Sequence, residues 1–214
     1  MSEPGHQPLA HFPAFTRERL IDIEPRETGY TVKSLLPRQG VAFMAGPSTT
    51  AKTFLAIETL LRVSRGEPVC GRRTRKAGVL YIAAEDADGV RKRLKAWTLN
   101  NGSQGAFELV PEAPDLRNPE NYALLAQMIA QASADFAADG TPLGVIAFDT
   151  LSKSSPGADQ NSSQDMGSVM AALERLAVRF NLLVVKRRPI GTPYRRAKGT
   201  PLALRYAVAR RRSA

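Results

Sequence analysis

The chain has 214 residues, 43% of them apolar, which is long enough for one α/β domain with a sizeable core and extra ends. A single cysteine, Cys70, excludes an internal disulfide and a cysteine-rich metal centre, and the only two histidines, His6 and His11, lie in the polar N-terminal stretch and leave a histidine-based metal site or triad almost nothing to use. The net charge of +10 divides unevenly: residues 1–185 hold 20 Lys+Arg and 20 Asp+Glu, whereas residues 186–214 hold ten basic groups and no acid.

Residues 1–30 are rich in Pro, Gly and charge without a sustained period, and read as an extended N-terminal arm. Residues 31–37 read as a short turn of helix feeding a first strand at 41–45, which ends at Gly46. A helix follows from Lys52, carrying Phe54, Leu55, Ile57, Leu60, Leu61 and Val63 and fading at Gly66-Glu67-Pro68. Arg72-Arg73-Thr74-Arg75-Lys76 reads as a solvated basic loop. Gly78–Ala84 is almost continuously apolar and closes on Glu85-Asp86, the pattern of a strand buried on both faces.

Residues 87–97 have Val90, Leu94 and Trp97 on one side of a helix and Arg91, Lys92, Arg93 and Lys95 on the other. Phe107–Val110 is a candidate short strand. Asn118-Pro119 is a helix cap with proline at the first helical position, and that helix runs to about Ala138. Leu143–Asp149 is another buried run closing on a carboxylate, and residues 152–164 form a polar loop. A helix from about Gln164 to Phe180 and a strand at 181–185 complete the pattern. Strands alternating with helices imply right-handed crossovers and a mostly parallel sheet with helices on both sides.

The chemistry gathers at the strand ends. Gly46-Pro47-Ser48-Thr49-Thr50-Ala51-Lys52-Thr53, between a strand and a helix, has the layout of a phosphate-binding loop. Backbone N–H groups would cradle the β- and γ-phosphates of a nucleotide at the positive end of the helix. Lys52 would neutralise phosphate charge, and the Thr53 hydroxyl would hold Mg²⁺. The usual motif has glycine where this chain has Ala51; a Cβ in that tight turn costs roughly 1 kcal/mol. Asp149 suits the ordering of Mg²⁺, and Glu85 suits a general base for the attacking water. Each acid could instead simply cap a following helix.

Gly46-Pro-Ser…Lys52-Thr-Phe-Leu-Ala, Val79–Glu85, Val145–Ser152 and Asn161…Asp165-Met together resemble the RecA-like AAA-type ATPases of the plasmid replicative helicase RepA group, over about residues 31–185. The resemblance implies a three-layer RecA-like P-loop NTPase fold, ATP hydrolysis with Mg²⁺, assembly into a homo-oligomeric ring and work on DNA. It also implies phosphate-loop roles for Lys52 and Thr53, a catalytic glutamate at Glu85 and a Walker B aspartate at Asp149. The strand at 181–185 would then lie between the phosphate-loop strand and the Walker B strand.

The chain departs from that family after Val185, where Lys186-Arg-Arg-Pro stands in place of the polar γ-phosphate sensor. The fold is accordingly expected to be incomplete at the C-terminus, with residues 31–185 as the ATPase domain and 186–214 as a poorly packed basic tail. That tail reads either as a nucleic-acid-binding segment or as the end of a truncated or frame-shifted reading frame. No run approaches the ~20 apolar residues of a membrane span, so a cytoplasmic protein is expected. Two rivals to the ATPase reading are a non-catalytic nucleotide-binding module and a DNA-binding accessory protein that acts through its tail.

Overall fold

The computed structural model describes residues 19–22, 29–46, 50–84, 86–102, 104–149 and 163–189. Strand β1 (Tyr30–Val32) pairs antiparallel with β2 (Leu36–Pro37), so residues 31–37 form a small hairpin and not the expected turn of helix. Thr31 and Val32 are β-branched and suit an extended backbone. Val32 and Leu36 are buried in the core, and the Thr31 hydroxyl closes the hairpin by donating to the Pro37 carbonyl at 3.0 Å. The basic loop is tied to β1 through backbone bonds from Lys33 N–H to the Arg73 carbonyl and from Arg75 N–H to the Thr31 carbonyl. Its side chains at Arg72, Arg73, Arg75 and Lys76 are exposed.

The remaining elements follow as β3 (Gly40–Gly46), α1 (Lys52–Arg65), β4 (Gly78–Ala83), α2 (Ala87–Asn101), β5 (Phe107–Val110), α3 (Pro119–Ala138), β6 (Leu143–Asp149), α4 (Ser163–Arg179) and β7 (Leu183–Pro189). Strands β3 to β7 form one sheet in the order β3-β7-β6-β4-β5, and every pair is parallel. β7 therefore lies between β3 and β6. The fold is α/β with helices on both faces of a parallel sheet, consistent with a RecA-like P-loop fold.

Side-chain alternation along the strands divides the interior into two cores. Leu80, Ile82, Ile146, Phe148 and Val184 pack with Leu125, Ile129 and Phe136 of α3 and Leu173 and Leu176 of α4. Val79, Tyr81, Val145, Ala147, Leu183 and Val185 pack on the opposite face with Ile57, Leu60 and Leu61 of α1 and Val90 of α2.

Local chemistry sets the helix ends. α1 closes on Gly66 at φ 74, whose N–H bonds to carbonyls of the last turn. α3 starts where the Asn118 side chain accepts from the N–H groups of Glu120 and Asn121, with Pro119 at the first position. α2 runs past residue 97 to Asn101, and the Thr98, Asn100 and Asn101 side chains each donate a hydrogen bond to a carbonyl within that helix.

The last strand differs most from expectation. β7 begins at Leu183 and continues through Lys186-Arg187-Arg188-Pro189, in register with Phe43-Met44-Ala45-Gly46. A boundary drawn at 185/186 from the change in charge falls inside a strand. Ladder pairing is made by backbone groups, and Lys186 and Arg187 lie beside the uncharged Phe43 and Met44, so the strand persists while its composition changes. Lys186 is only 3% exposed, with its ammonium 6.0 Å from the centre of the Phe43 ring. Among the described residues no helix is long and apolar enough to cross a membrane.

Candidate nucleotide-binding site

The site is built where β3 hands over to α1. Ala51, the residue before the helix, has φ 56 and ψ 25, the left-handed conformation that a phosphate-binding loop requires of the glycine usually found there. α1 has no side-chain cap on its first N–H groups and no acidic residue in its first turn. Its N-terminus thus keeps the positive end of the helix dipole for an anion. The side chain of Lys52 folds back along the strand end: a Cβ placed on Gly46 would lie 3.5 Å from Lys52 Cδ and 3.3 Å from Thr50 Oγ1. Burial, and then the neighbouring Arg187 charge, hold the Lys52 ammonium below the usual lysine range.

Asp149 ends β6 and is 5% exposed. Its position follows from the pleat. Tyr81, Ala147, Asp149, Val185 and Arg187 occupy alternate positions that face α1 and α2, and the ladder sets Ala83 beside Asp149 and Phe148 beside Lys186. The Tyr81 hydroxyl donates to Asp149 Oδ2 at 2.7 Å. Burial, followed by the adjacent carboxylate, pushes the Tyr81 phenol far above its ordinary range, so it remains a donor. Arg187 Nε forms an ion pair with Asp149 Oδ1, and Arg187 Nη1 donates to Thr53 Oγ1. One guanidinium therefore links the tip of β6 to the first turn of α1.

Of the residues expected at the site, the fold gathers Gly46, Thr50, Ala51, Lys52, Thr53 and Asp149 at the carboxyl end of the sheet. Pro47, Ser48, Thr49 and Glu85 lie outside the described residues. Next to Glu85, Asp86 caps α2 by accepting from Gly89 N–H at 2.8 Å, a bond that holds its carboxyl below the usual range.

Tyr81 and Arg187 are the two members that sequence reasoning missed. Tyr81 could have been found by period-two alternation with a buried strand-end acid. Arg187 could have been found only by extending β7 beyond its apolar half.

A divalent ion at this site would draw its protein oxygens from Thr53 and Asp149, the right donor chemistry for Mg²⁺. As arranged, however, both hold Arg187. Two unit positive charges 4 Å apart repel by about 4 kcal/mol at an effective dielectric near 20, and a divalent ion doubles that. The residues in this arrangement do not fit Mg²⁺. Among the described residues, no cluster of three or more His, Cys, Asp or Glu side chains offers another metal position.

The charge does fit a polyphosphate. Lys52 and Arg187 supply two positive charges and Asp149 one negative, which leaves these three groups one positive charge in excess.

Comparison with known proteins gives a family. No curated protein matches the chain. The AAA domain family matches it over residues 6–186, well over half its length and inclusive of every element from β1 to the first half of β7. With the parallel sheet, the left-handed Ala51 and the Lys52-Thr53 helix start already in place, the chain belongs to the AAA domain family of P-loop ATPases.

Proposed function

We propose that the chain binds ATP at the turn from Gly46 to Thr53 and is an ATPase motor domain of the RepA-type replicative helicase kind, assembling with copies of itself and acting on DNA. The observation that carries the nucleotide reading is the meeting of Thr53, from the loop–helix junction, with Asp149, from the tip of β6, across a single side chain. Ligands in open parallel sheets bind beyond the carboxyl ends of the strands, and these groups lie there. In this reading the first N–H groups of α1 and the Lys52 ammonium hold the β- and γ-phosphate oxygens. Tyr81 fixes the orientation of Asp149, and Glu85 orients a water for in-line attack and takes its proton.

The test is equilibrium binding of a fluorescent ATP analogue together with steady-state phosphate release. The native chain binds in the micromolar range, and Lys52→Ala weakens binding by about 100-fold, equivalent to about 2.7 kcal/mol. Native binding that Lys52→Ala leaves unchanged would overturn this reading.

A second reading, nucleotide binding without turnover, is favoured by one observation: Arg187 engages the two residues that AAA-type sites use for the metal. Phosphate release separates the two. A rate that Glu85→Gln abolishes supports the motor; tight binding with no release in either protein supports the binding module. Salt-dependent DNA affinity that survives Lys52→Ala would assign the DNA contacts to basic groups elsewhere.

A further inference from the structure

Arg187 lies on the strand between β3 and β6, on the α1 side of the sheet, with only 19% of its side chain exposed. Its guanidinium touches the Thr53 hydroxyl and the Asp149 carboxylate, and the other oxygen of that carboxylate accepts from buried Tyr81. Tyr81 and Arg187 thus hold Asp149 from both sides, and the cation at the centre of the cluster is covalently part of the chain. A guanidinium is planar and permanently charged, and it carries five N–H donors that match phosphate oxygens. Mg²⁺ demands a near-octahedral shell at short distances and gives up water reluctantly. It cannot occupy the space between Thr53 and Asp149 while the guanidinium is there.

We propose that the Arg187 guanidinium takes the place of the divalent cation between Thr53 and Asp149, so that the chain accepts nucleoside triphosphate without Mg²⁺. The inference rests on the nucleotide reading for its ligand and on the observed contacts for its geometry. Arg187 supplies the phosphate-neutralising charge that the metal ion supplies elsewhere, and it acts as a binding residue. With Arg187 removed, Thr53 and Asp149 regain the oxygen donors that a divalent cation needs, and nucleotide binding becomes dependent on the metal.

The experiment measures the dissociation constant of a fluorescent ATP analogue in EDTA and in Mg²⁺ for the native chain, Arg187→Gln and Arg187→Lys. The expected result is a difference of less than about threefold between the two buffers for the native chain and for Arg187→Lys, and tighter binding in Mg²⁺ by about tenfold or more for Arg187→Gln. Native binding that tightens tenfold or more with Mg²⁺, or an Arg187→Gln variant that binds equally in both buffers, overturns the proposal. If Arg187→Gln fails to fold, the native chain and Arg187→Lys decide the matter on the same criterion.

A native chain that ignores the analogue in both buffers overturns the nucleotide reading instead. Electron paramagnetic resonance of Mn²⁺ on nucleotide-free protein then tests the guanidinium by itself: Arg187→Gln gains a bound ion and the native chain does not. A gain in neither protein, or equal binding in both, sinks the substitution.

Discussion

The two faces of the central sheet carry the same strands to different ends. On the face covered by α3 and α4, alternate positions stay apolar along β4 and β6 as far as Phe148, and Lys186 lies beside the Phe43 ring. On the face covered by α1 and α2, the alternation ends in polar groups: the Tyr81 hydroxyl, Asp149 and Arg187. Because the pleat has a period of two, a single residue step decides which face receives a side chain. Both faces pack a core, and the face under α1 and α2 also carries the interacting polar groups at its strand tips.

Substitutions on the two faces should separate stability from binding. The largest effect on stability is expected at Ile129, fully buried between α3 and the sheet. Ile129→Ala should cost about 2–5 kcal/mol in chemical denaturation, yet change ATP affinity little at temperatures where the variant is folded. A large loss of affinity in the folded variant would show that the two faces are coupled.

Tyr81→Phe, on the other face, removes one hydroxyl from a buried carboxylate. It should cost about 1–3 kcal/mol and also alter nucleotide affinity, since it loosens Asp149. A stability loss with unchanged affinity would make Tyr81 a packing residue only.

The smallest effect is expected at Ala51, held at φ 56. Ala51→Gly should stabilise the chain by about 0.5–1 kcal/mol, relief of the left-handed backbone being partly offset by the entropy of the unfolded glycine. A destabilised glycine variant would mean that this turn is not strained.

Much of this architecture is legible in the sequence where local signals coincide. Asn118-Pro119 marks the start of α3, Gly140 and Pro142 mark its end, and the apolar run closing on an acid marks β6 from Leu143 to Asp149. The left-handed turn at Ala51 follows from the spacing of Gly46, Lys52 and Thr53.

What resists sequence reading depends on pairing between distant segments. The β1–β2 hairpin forms because Val32 and Leu36 reach the core, which no local period in residues 31–37 reveals. The basic half of β7 looks like a tail until it is placed beside β3, whose ladder supplies partners from Lys186 to Pro189. Arg187 belongs to the site for the same reason: only the register with β6 brings it beside Asp149.

A triphosphate on the turn between β3 and α1 would shield the backbone amides that hold it. Amide hydrogen exchange followed by mass spectrometry, with and without ATP, tests this most directly. Exchange is expected to slow by about tenfold or more in peptides covering residues 46–56 and the tip of β6 around Asp149, with little change along α3. Unchanged exchange at residues 46–56 under saturating ATP, or protection confined to another part of the chain, would contradict a triphosphate at that turn.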